Sequence, residues 1–277
     1  MILLTGDKHG DFRKIFEFFE SGIINTNKDE DFMIILGDVG LNYYLDKKEN
    51  ELKEKLSKLP ITFICVHGNH EERPSKISSY ELKHYSKKDI DIIRSLSTKY
   101  NNKKNSQINY EIKNNIIGDF YVEPSYPNLL FPVLPSTFKL DNYTFVHLGG
   151  AYSLDKFKRL KANAAGNKQF KWFESEQMSK VEQKYALQLV TFLTEFSKNK
   201  PIILSHTCPL RYVPFDSFNG NFNQNGNFNQ NGIDKTTEIF LDKIYNIDFT
   251  LDWYCGHYHI DKKIDNIRFL YNDIIEI

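Results

Sequence analysis

The sequence predicts an α/β fold, a largely parallel sheet with helices outside it, and three observations carry that prediction. Short apolar runs at Ile2–Thr5, 32–36 and 61–66 have strand rather than helix length. Each run stops in a polar loop containing glycine and a carboxylate or imidazole. Segments with helical spacing follow these loops, and such strand-helix alternation builds a parallel sheet with helical crossovers.

Taken in order, the first unit runs from Ile2–Thr5 into Gly6, Asp7, Lys8, His9, Gly10 and Asp11. Asp11 is read as the N-cap of a helix carrying Phe12, Ile15, Phe16 and Phe19, with Gly22 as its stop. The second unit runs into Gly37-Asp38-Val39-Gly40, and a helix at 46–58 presents Leu52, Leu56 and Leu59 on one face. The run at 61–66 opens a third unit, ending in Gly68-Asn69-His70-Glu71. Residues 74–116, rich in lysine and asparagine, read as helix plus surface and more weakly as a cap or insertion, with Ile90, Ile92, Ile93 and Leu96 as short apolar patches. Pro124, Pro127, Pro132 and Pro135 interrupt 121–137, which predicts short edge strands or a fixed loop.

Tyr143–Leu148 is a strand candidate that empties into Gly149-Gly150-Ala151-Tyr152-Ser153. The longest predicted helix is 175–198, and Val181, Tyr185, Leu189, Phe192, Leu193 and Phe196 form an aromatic ladder assigned to the core. A strand at 201–204 ends in Ser205-His206-Thr207-Cys208-Pro209. Within a low-complexity loop at 218–232, NFNQNG occurs twice in succession, a composition that builds no core. A helix at Thr236–Tyr245, a strand at 249–255, the loop Gly256-His257-Tyr258-His259 and a closing hairpin complete the chain.

One domain of 277 residues accommodates all of this. Lysine plus arginine equals aspartate plus glutamate at 36 each, so no global field attracts nucleic acid or an anionic membrane. Cys65, Cys208 and Cys255 are odd in number, lie in or beside apolar runs and form no C-x-x-C, which predicts a reduced protein. Asp7 follows Met1 too soon for a signal segment and no apolar run reaches membrane length, so a soluble cytoplasmic protein is expected.

The strand-end loops together supply Asp7, His9, Asp38, Asn69, His70, His206, His257 and His259. Carboxylates and imidazoles suit borderline divalent metals, and this set exceeds what one ion needs. Two ions sharing a carboxylate, about 3.5–4 Å apart, activate water and polarise a phosphoryl oxygen. The chemistry so predicted is hydrolysis of a phosphate ester.

These residues resemble the calcineurin-like metallophosphoesterase superfamily, whose blocks appear in order as Asp7-Lys8-His9, Gly37-Asp38, Gly68-Asn69-His70-Glu71, His206 and Gly256-His257-Tyr258-His259. The resemblance implies a four-layer αββα sandwich of two mixed sheets flanked by helices. It also implies one ion on Asp7, His9, Asp38 and His259, and a second on Asp38, Asn69, His206 and His257. His70 would then be a general acid for the leaving alkoxide or a stabiliser of the transition state, while metal-bound hydroxide attacks phosphorus in line. Glu71 would orient its neighbours. Manganese is favoured among manganese, iron, zinc and nickel, all of which suit such ligands.

The protein phosphatases of this superfamily continue their second block as G-D-x-V-D-R-G, whereas this chain reads Gly37-Asp38-Val39-Gly40-Leu41-Asn42 and lacks that arginine. The run from Gly149 to Lys156, with Arg159 and then Trp172 to Gln177, resembles a separate group of microbial and phage metallophosphoesterases. Lys156 and Arg159 are therefore assigned to the substrate phosphate. His67 and His84 read as ordinary packed or surface residues, and His147 competes with His206 as a ligand, with most weight on His206. The lysines of 83–113 offer a nucleic-acid backbone a weak landing site, so a phosphodiesterase or nuclease remains an alternative to a phosphatase. A catalytically silent metal-binding scaffold is a third reading, which the complete ligand set opposes.

Overall fold

A computed structural model describes residues 1–86, 109–112, 115–167, 169–214 and 233–277. The low-complexity loop at 218–232 and the apolar patches Ile90, Ile92, Ile93 and Leu96 lie outside the described residues.

The predicted α/β class is present as a large mixed sheet with helices against it. In chain order the main elements of the first half are β1 (Ile2–Thr5), α1 (Arg13–Glu20), β2 (Phe32–Ile35), α2 (Lys47–Ser57), β3 (Thr62–Cys65), β4 (Glu81–Ser86), β5 (Asn109–Ile112), β6 (Ile116–Val122), β7 (Leu129–Pro132), β8 (Ser136–Leu140) and β9 (Tyr143–Leu148). The second half adds α3 (Lys156–Ala164), α4 (Lys180–Phe196), β10 (Ile202–Ser205), α5 (Thr236–Tyr245), β11 (Trp253–Cys255), β12 (Lys262–Ile264), β13 (Ile267–Phe269) and β14 (Ile275–Glu276).

Hydrogen bonding places the strands in the order β12-β13-β11-β10-β9-β8-β6-β7-β3-β2-β1-β14, with β4 against β6 and β5 against β4. β1, β2, β3 and β7 run parallel, as do β9, β10, β11 and β13. Two arms thus meet at β6, where Ile116 and Ile117 pair with β8 while Phe120, Tyr121 and Val122 pair with β7. Alternation of side chains along each strand separates the cores. Ile2, Leu4, Ile34 and Ile64 from one arm share a cluster with Phe138, Phe145, Ile202 and Leu204 from the other. The opposite faces pack under helices: Met33, Ile35 and Phe63 with Ile15 and Leu56, and Val146, Ile203 and Trp253 with Ala186, Val190 and Phe240.

Helices α2 and α5 fall where their spacing predicts. Asp46 caps α2 by accepting from the Glu49 backbone N–H at 3.0 Å, which satisfies one of the unpaired donors of the first turn. Four expectations need correction. The N-cap of α1 is Phe12, because Asp11 spends its carboxylate on the Arg13 guanidinium and backbone. Residues 81–86 and 109–112 are strands rather than helix: they carry few apolar residues, and pairing of β4 with β6 and of β5 with β4 supplies the order that composition does not reveal. β7 is not an edge strand but lies between β3 and β6, with Pro132 at its last position. The ladder of α4 is core only in part: Leu189 and Leu193 pack against the cluster, whereas Val181 is 80% exposed, Phe196 71%, and Tyr185 and Phe192 are exposed as well, while the small Ala186 and Val190 are the fully buried residues of the helix. Both faces of this helix are apolar at helical spacing, so periodicity alone does not orient it.

Beneath the first arm, the Lys53 ammonium is 3% exposed and lies 2.5 Å from the Glu123 carboxylate, with Asn42 and Tyr80 also in reach. Lys53→Ala leaves that carboxylate with its cation removed and is expected to lower unfolding free energy by about 3–5 kcal/mol. Denaturant titration checks this; a loss under 1 kcal/mol would mean that water already solvates Glu123.

Candidate metal centre

The parallel strands deliver the loops of both arms to one edge, at their carboxyl ends, which is where open α/β sheets bind ligands. β1, β2 and β3 contribute Asp7, His9, Asp38, Asn69 and His70; β10 and β11 contribute His206, His257 and His259. The Lys8 and His9 backbone N–H groups donate to the Asp38 carbonyl at 3.1 and 2.7 Å, tying the first loop to the second.

His9, Asp38, His257 and His259 all have positive φ, between 43° and 66°. For residues other than glycine this region costs on the order of 1 kcal/mol each and collects at functional sites. Close approach adds a second constraint. A Cβ on Gly68 would stand 2.1 Å from Asp38 Oδ1, and one on Gly256 would stand 2.1 Å from Asp7 Oδ1. Only glycine lets the backbone pass behind those carboxylates.

Two groups bring potential ligand atoms within 4.8 Å of one another: Asp7, His9 and His259, and Asp7, Asp38 and His206. In the first, His9 Nε2 and His259 Nε2 face each other at 3.1 Å, and Asp7 Oδ2 lies 3.3 Å from His259 Nε2. In the second, Asp38 Oδ2 lies 3.5 Å from His206 Nε2 and 3.8 Å from His9 Nδ1, between the two sets. Asn69 Oδ1 is 2.9 Å from His206 Nε2, and His257 Nδ1 is 3.3 Å from the same nitrogen. Nitrogen and oxygen lone pairs therefore converge on common points.

The residues fit divalent cations on three counts. Asp7 Oδ2 is buried and no protein donor satisfies it, whereas a buried carboxylate oxygen normally has a partner. His206 Nδ1 donates to the Leu36 carbonyl at 2.8 Å, which leaves Nε2 as the atom turned into the site. Burial would lower the His206 pKa, yet Asp38 and Asp7 push it up to about 10, so the pocket favours positive charge. Burial likewise would raise Asp38, but His206, then His70 and His9, hold it well below the usual carboxylate range. His257 is pulled down to about 3 by burial and then by His206.

His147 is fully buried elsewhere: Nδ1 donates to the Val133 carbonyl at 3.0 Å and Nε2 accepts from the His67 backbone N–H at 3.1 Å. With both nitrogens engaged it has no lone pair to offer. His67 is buried against the Ser175 carbonyl, and His84 pairs with Asp119. Glu71 Oε1 accepts from the Gly68 N–H at 2.7 Å, and burial, then Asp38, raise its carboxyl to about 8.

His70 stands apart from both groups. Its backbone N–H donates to Asp38 Oδ1 at 2.8 Å, and Arg159 Nη2 lies 3.4 Å from its Nε2. Burial lowers the His70 pKa; Asp38 opposes the shift and Arg159 reinforces it. Arg159 is held by the Asp155 carboxylate at 2.7 Å and by the Tyr43 hydroxyl at 2.9 Å. Lys156, by contrast, lies over the Trp172 ring at 4.2 Å and shares no contact with the metal-ligand cluster among the described residues.

Three residues that sequence reasoning did not single out as site residues belong to the surroundings. Tyr43 and Tyr44 line the His70 cleft, and their only signal is an aromatic pair shortly after the second block. Ser153 Oγ accepts from Asn69 Nδ2 at 2.9 Å, which turns Oδ1 toward His206. Ser153→Ala is expected to weaken metal binding about 10–100-fold by releasing that amide; isothermal titration with manganese checks it, and unchanged affinity would show that Asn69 orients itself.

Carboxylates and imidazoles around shared points, with one imidazole and one guanidinium beside them, define a metal-dependent hydrolase of phosphate esters. The family description that matches, Calcineurin-like phosphoesterase, covers residues 1–261, and the chain belongs to that family. The family uses divalent metal ions and acts on phosphate esters. No curated protein matches the chain. Among the described residues no helix is long and apolar enough to cross a membrane.

Proposed function

We propose that the chain is a phosphatase with a two-metal centre, in which Asp7, His9, Asp38 and His259 hold one ion and Asp38, Asn69, His206 and His257 the other. The observation that carries this reading is the position of Asp38 Oδ2, with His9 on one side and His206 on the other. Ions held there would supply Lewis acidity toward a phosphoryl oxygen and a lowered pKa for bound water. Manganese is the favoured metal. Arg159, fixed by Asp155 and Tyr43, binds a phosphate oxygen, and His70 delivers a proton to the leaving oxygen. Lys156, whose ammonium lies over the Trp172 ring, is the second cation for the substrate phosphate.

We also read the two arms as the sheets of a four-layer αββα sandwich within one domain, on the strength of the apolar cluster fed by both. Three buried cysteines suit a cytoplasmic setting. The test is steady-state hydrolysis of a nitrophenyl phosphate monoester and a bis-nitrophenyl diester with manganese. Turnover of the monoester is expected. Turnover of the diester alone would replace this reading with a phosphodiesterase, and two bound metals without turnover of either would replace it with a binding scaffold.

A further inference from the structure

A cleft of about 340 Å³ opens beside the centre, lined by His9, His70, Tyr43, Tyr44, Arg159 and Phe170. That volume is at the lower end of the range that takes small organic ligands. Its two ends differ in chemistry. Arg159, with His9 and His70 beside it, gives the cleft a cationic side, Tyr44 and Phe170 give it an aromatic one, and the Tyr43 hydroxyl joins the two by accepting from Arg159 Nη1 at 2.9 Å. The Tyr43 and Tyr44 rings meet edge to face with centroids 4.5 Å apart. Tyr44 is 47% exposed, a large aromatic surface left uncovered in the wall of a cleft. The backbone around it is fixed: Glu49 accepts from the Tyr43, Tyr44 and Leu45 N–H groups at 2.7, 2.5 and 2.6 Å, and the Tyr43 hydroxyl is anchored by Lys171 N–H at 2.8 Å. This aromatic wall is held in place by the protein before anything binds it.

The proposed function puts the leaving oxygen at His70, so the group attached to that oxygen extends into the same cleft. We infer that the leaving alcohol carries a flat heteroaromatic ring, as a nucleoside does, and that Tyr44 and Phe170 are the faces that recognise it. Base–aromatic stacking tolerates any base, so the wall selects for a ring rather than for one nucleobase.

This inference rests on the phosphatase reading, and the experiment separates the two. With the manganese-loaded enzyme, kcat/KM is measured for adenosine monophosphate and for glycerol phosphate, which have similar alkoxide leaving groups but only one of which carries a ring. A preference of about tenfold or more for the nucleotide is expected. Tyr44→Ala should shrink that ratio at least fivefold, mainly through KM for the nucleotide, while Tyr44→Phe retains it. Independently of turnover, adenosine should bind the protein without added metal in calorimetry, and Tyr44→Ala should weaken that binding by a similar factor. Equal kcat/KM for both esters, or an unchanged ratio in Tyr44→Ala, overturns the inference. Hydrolysis of neither ester, with adenosine binding intact and sensitive to Tyr44, overturns the phosphatase reading instead.

Discussion

Asp38→Asn is expected to lower hydrolysis of a nitrophenyl phosphate ester by at least about 10³-fold and to reduce the bound metal below two ions per chain. Asp38 is the residue on which most of the site depends. Its Oδ2 stands between His9 and His206, its Oδ1 receives the His70 backbone N–H, and its carbonyl receives those of Lys8 and His9. The substitution keeps shape and removes charge. An amide nitrogen in the Oδ2 position would aim a donor at His206 Nε2, the atom turned into the site. Metal analysis of the dialysed protein beside steady-state kinetics is the check. Full activity with two ions bound would exclude Asp38 as a shared ligand.

The second large effect separates two adjacent residues. Asn69→Ala is expected to lose one metal, because Asn69 Oδ1 sits beside His206 Nε2 in the second ligand set. His70→Ala is expected to keep both metals and lose about 10²–10⁴-fold in kcat, the usual contribution of a positioned proton donor. The physical basis is distance: His70 reaches Arg159 rather than the converging ligand atoms. Esters with progressively more acidic leaving groups sharpen the test, since they need the proton less and should be progressively less affected. A uniform loss across the series would make His70 a phosphate binder instead of an acid.

Much of the site is legible in the chain because its residues are punctuation. A strand that ends abruptly in aspartate, asparagine or histidine, at four of five places just after a glycine, reads as a turn at a sheet edge, and the five endings in order single out Asp7, His9, Asp38, Asn69, His206, His257 and His259. The remainder needed packing. His147 and His206 look alike in sequence; what distinguishes them is that backbone groups engage both nitrogens of one and only Nδ1 of the other. Tyr43 and Tyr44 are loop residues whose relevance depends on which helix, here α3 with Arg159, folds over them. β4 and β5 carry too few apolar residues to announce themselves, and α4 is apolar on both faces, so its exposed Phe192 and Phe196 could not be told from core by spacing.

The division of ligands between the arms has a thermodynamic consequence. Asp7, His9, Asp38 and Asn69 come from one side of β6; His206, His257 and His259 come from the other. A cation held jointly requires the two halves to be docked, so its binding free energy is also cohesion between them, in proportion to RT ln(1 + [L]/Kd). With ions bound, the centre would act as a clasp on the fold: occupancy and global unfolding would be linked quantities, and the ions that equip the edge for chemistry would add to the free energy of separating the halves.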